Sequence, residues 1–252
     1  MTTAVIVQAR MGSTRLPGKV LLKLAGRTVL SHVLERCNAI GNSDVVCCAV
    51  PDTSDSDPVA EEAERCGAVV VRGSERDVLD RYRQAAEVVR AKLVMRVTSD
   101  CPLIDPEICS KVLALRAKED ADYACNNMPP SWPHGLDCEA FTVEALNRAS
   151  REAQTPHERE HVTPWLRTRD DIRHANFAGP GHGVEGMRWT LDYPEDFEFL
   201  TALSAHLPGE LPGYGDVLAV LERHPEITAM NAARIDRARG CTASQLHGQA
   251  HG

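Results

Sequence analysis

A short segment near the amino terminus carries the residues best suited to bind phosphate. Residues 8–19, QARMGSTRLPGK, contain glycines that shape the backbone, two hydroxyl side chains, and the cations Arg10, Arg15 and Lys19. Glycine-rich backbone can point successive N–H groups into one concavity, where fixed cations neutralise a polyphosphate. The segment follows an apolar run at residues 4–7 and precedes a helical pattern, the arrangement by which α/β proteins place a phosphate site at a sheet edge. We therefore interpret residues 8–19, called the phosphate loop below, as a triphosphate-binding loop.

The phosphate loop differs from the two common nucleotide-binding motifs. Five residues rather than four separate Gly12 from Gly18, and Val20 stands where a Walker P-loop has the Ser or Thr that contacts Mg²⁺. No GxGxxG pattern follows the first apolar run, so the dinucleotide-binding motif is absent as well. A basic surface turn is the alternative interpretation, but the position directly after a buried strand favours phosphate binding.

Two carboxylates follow apolar segments at points where a metal site could form. Asp100 comes directly after the run at residues 93–97, and Asp192 comes just before a helix that begins near Pro194. A carboxylate at the carboxyl end of an inner strand faces the crevice where ligands bind, so Asp100 could reach a metal on bound phosphates. From the residues alone, an ordinary loop carboxylate explains Asp100 equally well, and an ordinary helix-start carboxylate explains Asp192 equally well.

The elements around these residues alternate between strands and helices. Short apolar runs at residues 4–7, 44–50, 68–71 and 93–97 predict strands buried on both faces. Helical patterns occupy residues 28–40, 57–66 and 77–91 between them. Asp57 and Asp105 each precede a proline, and we expect each to cap a helix. The alternation predicts an α/β protein with a Rossmann-like, doubly wound, mostly parallel sheet.

The alternation lapses after about residue 120. Residues 122–127 and 135–143 read as two strands that flank a loop of Pro, Trp and His, and a further strand is predicted around Trp189 and Leu191. We expect one domain over residues 1–239. Within it, residues 122–185 form a smaller subregion, and residues 240–252 form a flexible tail.

The composition excludes several classes of protein. The chain has 252 residues, 43% of them apolar, which suffices for a full core, and its net charge of −8 argues against nucleic acid as the main partner. It has no signal-peptide pattern and no apolar run of about 18 residues, so we expect a cytoplasmic protein with no membrane partner. Nine cysteines without a CxxC pair favour reduced thiols over disulfides or a zinc site.

The HEREH stretch matches the HExxH pattern of zinc proteases. In that class His157 and His161 would bind zinc and Glu158 would act as a base. Pro156 begins this helix and Pro164 interrupts it soon afterwards, so the helix is too short for the zinc-protease arrangement. The pattern is therefore a weak indication of a zinc site.

The phosphate loop resembles the signature loop of the cytidylyltransferase branch of the sugar nucleotidyltransferases. The string QARMGSTRLPGKVL is most similar to the subgroup named after the spore coat polysaccharide biosynthesis protein F, and sialic acid and Kdo cytidylyltransferases carry a similar ARxxSxRLPGK loop. The resemblance covers roughly residues 1–200 in several segments: RGSERDVLDRY, SDCPLIDP, GLDCEAF, REHVTPW and DYPEDF. It implies a sheet of the nucleotide-diphospho-sugar transferase type. It also implies that residues 1–239 are a nucleotidyltransferase domain, in which residues 122–185 form the acceptor-binding or dimerisation subregion.

The resemblance implies roles for individual residues. It assigns the nucleotide contacts to Gln8, Ala9, Arg10, Gly12, Ser13, Arg15 and Lys19. Ser74, Asp77 and Arg81 would border the base, although a solvated helix start explains Asp77 and Arg81 equally well. Asp100 and Asp192 would hold Mg²⁺, and catalysis would rest on Arg15, Lys19 and Asp100.

A second set of residues provides candidates for binding the acceptor. They are Asn126, His134, Asp137, Glu139, Arg159, Glu160 and His161. The first three belong to the Pro- and Trp-rich region, where ordinary turn chemistry is an equally good explanation. GLDCEAF resembles a family segment that borders the acceptor sugar. REHVTPW also resembles a family segment, which makes its residues candidates for either acceptor binding or dimer packing.

The resemblance implies a Mg²⁺-dependent enzyme that transfers CMP from CTP to a sugar, sugar acid, phosphate or phosphonate, with release of pyrophosphate. A homodimer is expected by analogy with the relatives. Two alternatives are a nucleotide-sugar-dependent glycosyltransferase and a nucleotide-binding protein without catalysis. A glycosyltransferase usually has a DxD motif after an inner strand, where this chain has Ser99, Asp100 and Cys101. A binding protein would not need the carboxylate pair.

Overall fold

A computed structural model describes residues 2–234, so the predicted tail at residues 240–252 lies outside the described residues. The strands are β1 (Thr3–Gln8), β2 (Lys23–Leu24), β3 (Arg27–Thr28), β4 (Val45–Pro51), β5 (Val69–Gly73), β6 (Leu93–Thr98), β7 (Tyr123–Cys125), β8 (Glu139–Thr142) and β9 (His174–Asn176). The helices are α1 (Val29–Asn38), α2 (Asp57–Arg65), α3 (Val78–Val88), α4 (Pro106–Lys118), α5 (Val143–Glu152), α6 (Pro156–His161), α7 (Pro164–Thr168), α8 (Pro194–Ser204), α9 (Tyr214–Arg223) and α10 (Pro225–Ala229).

Seven strands form one mixed, mostly parallel sheet in the order β5-β4-β1-β6-β8-β7-β9. The four strands predicted from apolar runs, β1, β4, β5 and β6, pair in parallel. β8 is antiparallel to both of its neighbours, β6 and β7, and β9 pairs in parallel with β7. The α/β fold class and the mostly parallel sheet are confirmed. β2 and β3 form a separate small hairpin.

Both faces of the sheet are covered, because alternate side chains of each strand point to opposite sides. Along β1, Val5 and Val7 pack into one hydrophobic cluster with α1, α2, α4, α8 and α9. Ala4 and Ile6 pack into a second cluster with α3, α5 and α7. This double burial explains why β1 and β4 are continuously apolar rather than alternating. The expectation of burial on both faces is wrong for β5, an edge strand in which Val69 and Arg72 are exposed.

Two predicted helix caps have different outcomes. Asp105 caps α4, since its Oδ1 accepts hydrogen bonds from the backbone N–H groups of Glu107 at 2.8 Å and Ile108 at 2.9 Å. The prediction for Asp57 is wrong. Asp57 is the first residue of α2, a 3₁₀ turn precedes it, and its carboxylate pairs with Arg72 at 2.7 Å.

The predicted strand around Trp189 and Leu191 is also wrong, although the segment is extended and buried. The N–H of Trp189 donates to the His134 carbonyl at 2.6 Å, and the N–H of Leu191 donates to the Asp100 carbonyl at 2.8 Å. These partners lie in two different loops, so no continuous ladder forms. The segment is held instead by loops that surround the carboxyl end of β6.

The chain reverses its direction of travel across the sheet between β1 and β6. From β1 it proceeds through β4 to β5 on one side, and it then returns to place β6 on the other side of β1. In open α/β sheets, the crevice at such a switch point, beyond the carboxyl ends of the strands, is where ligands bind. The phosphate loop begins at this crevice, and Asp100 lies beside it.

Two further expectations bear on the described residues. Eight cysteines lie within residues 2–234, all of them free and seven buried, as core packing requires; the ninth, Cys241, lies outside the described residues. None of the helices in residues 2–234 has the length and apolar character needed to cross a membrane.

Candidate active site

A cavity of about 730 Å³ opens at the switch point between β1 and β6. Its lining includes most of the phosphate loop together with Glu75, Val78, Arg81, Arg96, Thr98, Ser99, Asp100, Glu160, His161 and Asp192. Cations and carboxylates from at least five separate segments of sequence therefore meet in one cleft. The volume lies within the range typical of small-molecule sites.

The phosphate loop is folded back on itself by local hydrogen bonds. The N–H of Gly18 donates to the Met11 carbonyl at 3.2 Å, and the hydroxyl of Ser13 accepts from the N–H of Leu16 at 3.3 Å. Gly18 has a φ of 68°, in the left-handed region, and directly precedes the 3₁₀ turn Lys19–Leu21. This turn directs Lys19 toward the cavity.

The ammonium group of Lys19 lies between the two predicted metal ligands. Its Nζ is 2.8 Å from Asp100 Oδ2, 2.8 Å from Asp192 Oδ1 and 2.8 Å from the carbonyl oxygen of Leu191. An ammonium has three N–H donors, so these three acceptors use all of them. Asp100 and Asp192, 92 positions apart in sequence, thus share one largely buried cation.

The Lys19 contacts set the charge states of this group. Burial alone would raise the pKa of Asp100, but the charge of Lys19 and its hydrogen bond outweigh burial and hold the pKa well below its usual range. Burial alone would lower the pKa of Lys19, and the charges of Asp100 and Asp192 raise it instead. Asp100 and Lys19 are therefore both charged at neutral pH.

Arg15 approaches the carboxylate of Asp192 from the solvent side. Its guanidinium lies 2.9 Å from Asp192 Oδ1 and is stacked over the ring of Tyr193 at 4.9 Å from the centroid. Half of the Arg15 side chain is exposed, so it is free to follow a ligand. The phosphate loop thus supplies a largely buried cation, Lys19, and a half-exposed cation, Arg15, at the mouth of the cavity.

Arg81 is a buried cation whose donors are not all satisfied. The residue is 1% exposed, and within residues 2–234 its Nε and Nη1 meet no hydrogen-bond acceptor. Burial lowers its pKa. A Cβ atom at Gly73 would lie 2.9 Å from Arg81 Cγ, so the glycine leaves the room that this side chain occupies. Arg81 lines the cavity, so a buried cation with unsatisfied donors forms part of its wall.

Arg96 forms part of the cavity floor and is held from behind by Glu139. Its guanidinium pairs with Glu139 and lies 3.3 Å from the side-chain oxygen of Gln8, and the hydroxyl of Tyr123 also bonds Glu139. Burial alone would lower the pKa of Arg96, but the Glu139 charge raises it. Glu139 is 2% exposed and lies outside the cavity lining. It therefore acts on the cavity through Arg96.

The opposite wall comes from α6. Glu160 lies 3.4 Å from the guanidinium of Arg10, so an exposed ion pair spans the cavity between the phosphate loop and α6. His161 lines the same wall. Exposed pairs of this kind contribute little to stability, so this contact can open at small cost.

Comparison with known proteins identifies the family. A family model described as cytidylyltransferase matches residues 4–217, which is most of the chain. The chain belongs to the cytidylyltransferase family. The resemblance of the phosphate loop to this family is thereby confirmed, and the family match favours nucleotidyl transfer over the glycosyltransferase and non-catalytic alternatives.

Relatives of this cytidylyltransferase include proteins of similar length. It is 31% identical to the spore coat polysaccharide biosynthesis protein SpsF of Bacillus subtilis over 230 residues, covering 88% of this chain and 94% of that protein. Its fold is similar to a solved cytidylyltransferase of Leptospira borgpetersenii, with a TM-score of 0.86, 29% identity, and coverage of 90% and 97%. It also shares the fold of CMP:2-keto-3-deoxy-manno-octonic acid synthetase in complex with CTP, with a TM-score of 0.63, 20% identity, and coverage of 81% and 99%.

The structure brings together many of the site residues predicted for this cytidylyltransferase. The lining contains Gln8, Ala9, Arg10, Gly12, Ser13, Arg15, Lys19, Arg81, Asp100, Glu160, His161 and Asp192. These residues come from the phosphate loop, the carboxyl end of β6, the segment before α8, and helices α3 and α6. They form one continuous surface.

Ser74, Asp77 and Arg159 lie outside the lining. Ser74 accepts a hydrogen bond from the N–H of Asp77 at 3.2 Å. Asp77 caps α3 through the N–H of Asp80 at 2.9 Å and pairs with Arg159, whose Nη1 donates to the Ser150 carbonyl at 2.6 Å. Asp77 and Arg159 thus fasten α3 to α5 and α6, and Ser74 supports the turn that precedes α3.

Asn126, His134 and Asp137 also lie outside the lining. Asn126 is fully buried, donates to the Leu136 carbonyl at 2.7 Å and accepts from the N–H of Cys138 at 2.9 Å, so it fixes the loop between β7 and β8. His134 lies against Arg188 through its ring and its backbone. Asp137 is partly buried in the same loop.

The HEREH stretch does not form a zinc site. The carboxylate of Glu158 accepts from the N–H groups of Gln154 and Thr155 in a capping box at the start of α6, so it is not placed as a base. Within residues 2–234, no three His, Cys, Asp or Glu side chains cluster in a way that could hold a metal ion. The zinc-protease pattern is coincidental.

Sequence reasoning missed several residues of the site. The run at residues 93–97 predicts an apolar strand and no role for Arg96. The single arginine within LVMRVT nevertheless indicates a buried ion pair or a site, since an unpaired charge is rarely buried. Glu75, Thr98 and Ser99 also line the cavity. The role of Arg188 beneath Asp192 had no signal in the sequence, because its carboxylate partners Asp192 and Asp196, four and eight residues further on, are explained equally well by an ordinary helix start.

Proposed function

We propose that this cytidylyltransferase uses CTP and Mg²⁺ to transfer CMP to an oxygen of a small acceptor, either a sugar, a sugar acid, a phosphate or a phosphonate. The acceptor oxygen forms a bond to the α-phosphorus while the bond from that phosphorus to pyrophosphate breaks. The products are the CMP conjugate and pyrophosphate. The observation that carries the proposal is the position of Lys19 between Asp100 and Asp192, at the edge of a cavity lined by the phosphate loop.

The carboxylate pair fits Mg²⁺ in its chemistry. Mg²⁺ prefers oxygen ligands and is usually bound by one or two protein carboxylates, with phosphate and water in the remaining positions. Asp100 and Asp192 already face one common cation, the Lys19 ammonium, at hydrogen-bond distance. When bound there, Mg²⁺ would neutralise charge on the phosphates. We propose Asp100 and Asp192 as its protein ligands.

The chain's own residues would position the nucleotide. In the proposal, Lys19 leaves the two carboxylates when Mg²⁺ takes its position, and it then holds the phosphates together with Arg10 and Arg15. These cations stabilise the negative charge that develops on pyrophosphate, since catalysis of phosphoryl transfer rests on positioning and electrostatics. Arg81 would donate to the acceptor atoms O2 or N3 of cytosine, because its Nε and Nη1 meet no acceptor within residues 2–234.

We place the acceptor on the side of the cavity formed by α6 and Arg96. Glu160 and His161 line this wall, and Arg96 contributes a fixed cation to the floor. We propose that residues 122–185, which include α6, form the acceptor-binding or dimerisation subregion. A homodimer remains a prediction by analogy, and light scattering of the purified protein measures it directly.

The first experiment measures thermal stability with Mg²⁺ and each of CTP, UTP, ATP, GTP and dTTP. A ligand at about 100 times its dissociation constant adds about 2.7 kcal/mol, which for a chain of this size raises the melting temperature by roughly 5–10 °C. We expect a shift with CTP and a much smaller one with the other nucleotides. A preference for another nucleotide would contradict the assignment of CTP.

The second experiment measures pyrophosphate release with CTP and a panel of sugar acids, sugars, phosphates and phosphonates. Asp100→Ala and Lys19→Ala should abolish turnover while the protein remains folded by circular dichroism. The matched control is Lys23→Ala, since Lys23 is exposed on β2, away from the cavity. Near-normal turnover in both site variants would refute the proposal.

A further inference from the structure

A buried network of charges lies directly beneath Asp192. The guanidinium of Arg188 donates from Nε to Asp196 Oδ1 and from Nη2 to Asp196 Oδ2, both at 2.8 Å. Arg188 is 8% exposed and Asp196 is 0% exposed. Paired, planar contacts of this kind fix a guanidinium in both position and orientation.

Asp196 is itself fixed by further donors. Its Oδ2 accepts from the backbone N–H groups of Asp192 at 2.9 Å and Tyr193 at 3.0 Å, and its Oδ1 accepts from the side chain of Asn231 at 3.0 Å. Because the segment before α8 forms no strand ladder, these bonds replace the ladder in holding the backbone of Asp192. Asp196 therefore anchors Arg188 and Asp192 together.

From this anchored position, Arg188 reaches one oxygen of Asp192. Its Nη2 lies 3.1 Å from Asp192 Oδ2. The other oxygen, Oδ1, faces the cavity and takes Lys19 at 2.8 Å and Arg15 at 2.9 Å. The two oxygens of one carboxylate are thus divided between a buried structural partner and the ligand site.

The charges of this trio leave Asp192 able to attract a cation. Arg188 carries one positive charge, and Asp196 and Asp192 carry one negative charge each. Since Asp196 takes two short hydrogen bonds from Arg188, it offsets most of that positive charge. Asp192 consequently keeps a net negative charge at Oδ1 while its rotation is restricted at Oδ2.

We propose that Arg188 is a positioning residue that orients Asp192, so that Oδ1 alone is presented to the metal ion of the nucleotide site. This inference rests on the proposed function, because it concerns the same metal ligand. A lysine cannot replace Arg188, since an ammonium is a point charge and lacks the planar fork that spans two carboxylates. Second-layer partners of metal ligands typically change metal affinity by about 10–100-fold when removed.

The test compares wild type with Arg188→Lys by titration with Mn²⁺ in the presence of CTP, with free Mn²⁺ measured by electron paramagnetic resonance. We expect the Mn²⁺ dissociation constant to rise by about 10–100-fold, and turnover to recover partly at high metal concentration. The KM for the acceptor should stay within about twofold. A residue with only a structural role would lower the melting temperature without this change in metal affinity.

The matched control is Arg234→Gln. Arg234 is exposed, pairs at 2.6 Å with Glu195, which lies on the same helix as Asp196, and stacks over the ring of Tyr193. Its Mn²⁺ dissociation constant should remain within about twofold of wild type. If Arg188→Lys does not fold, Asp196→Asn decides: it frees Arg188 to neutralise Asp192, and Mn²⁺ binding should again weaken.

Two results distinguish failure of this inference from failure of the proposed function. A folded Arg188→Lys protein that binds Mn²⁺ within twofold of an active wild type would overturn the positioning role alone. A wild-type protein that binds no Mn²⁺ with CTP and releases no pyrophosphate with any acceptor would overturn the proposed function, and the inference with it.

Discussion

Replacing Lys19 by methionine tests the charge arrangement of the site most directly. The substitution keeps the aliphatic stem but removes an ammonium that contacts Asp100, Asp192 and the Leu191 carbonyl, each at 2.8 Å. In the absence of metal, Asp100 then loses the cation that lies 2.8 Å from its Oδ2, while Asp192 keeps Arg15 and Arg188 as partners. We therefore expect Lys19→Met to unfold at a lower temperature than wild type in EDTA.

The size of the effect follows from burial. Removing one partner of a fully buried ion pair costs about 3–5 kcal/mol, and exposed pairs are worth about 0–1 kcal/mol. The side chains of Lys19, Asp100 and Asp192 are 12%, 26% and 14% exposed, which places the group nearer the buried limit. A loss of about 2–4 kcal/mol corresponds to roughly 5–15 °C in a domain of this size.

Addition of Mg²⁺ gives the second part of this test. A divalent cation can occupy the position between the carboxylates that the ammonium leaves, so Mg²⁺ should raise the melting temperature of Lys19→Met by several degrees. It should raise that of wild type without nucleotide much less, because the ammonium already occupies this position. Differential scanning fluorimetry with EDTA and then with Mg²⁺ measures both effects, and Lys23→Met is the control. Equal melting temperatures of Lys19→Met and wild type in EDTA would refute the reasoning.

Two further substitutions test the surrounding structure. Gly135→Ala should lower the free energy of unfolding by about 2–4 kcal/mol, because Gly135 has a φ of +118° and a Cβ there would lie 2.6 Å from the carbonyl carbon of Trp189. Thermal unfolding measures this loss, with Gly186→Ala as the control, since a Cβ at Gly186 meets nothing within 4 Å. Glu139→Gln should cost about 3–5 kcal/mol at pH 7 by leaving Arg96 without its buried counter-charge. Burial raises the pKa of Glu139, but the charges of Arg96 and Arg167 and the hydrogen bond from Tyr123 together lower it by more, so this stabilisation is present above the unfolded-state pKa and is lost as the pH falls through the folded-state pKa. The difference between Glu139→Gln and wild type should therefore shrink in urea titrations below about pH 4, and a constant difference would contradict the assignment.

The parallel half of the fold could be predicted from sequence because its inner strands are buried on both faces. The runs in β1 and β4 are continuously apolar, and Asp105 precedes a proline at the start of α4, so local signals agree with the final structure. The antiparallel direction of β8 could not be predicted in this way. It depends on pairing with β6 over 40 residues away.

The same contrast between local signals and long-range contacts separates the site residues that could be predicted from those that could not. The cations of the phosphate loop and Asp100 follow directly from strands that the sequence indicates, so their common edge could be inferred. Glu139 has acidic chemistry suited to a site, but the fold places it behind Arg96. Arg188 gives no local signal, since its partner Asp196 lies within a turn of helix that the sequence explains as an ordinary helix start.

The position of β8 limits how this enzyme can be re-engineered for another acceptor. An exchange of residues 122–185 between relatives looks like the transplant of a separable module, but β8 hydrogen-bonds to β6 and β7 inside the main sheet. Such a chimaera would replace the strand that carries Glu139 and would leave Arg96, on the host's β6, facing a foreign side chain. Grafts confined to α6 and the loop before it would change the cavity wall while leaving every strand of the sheet with its original neighbours.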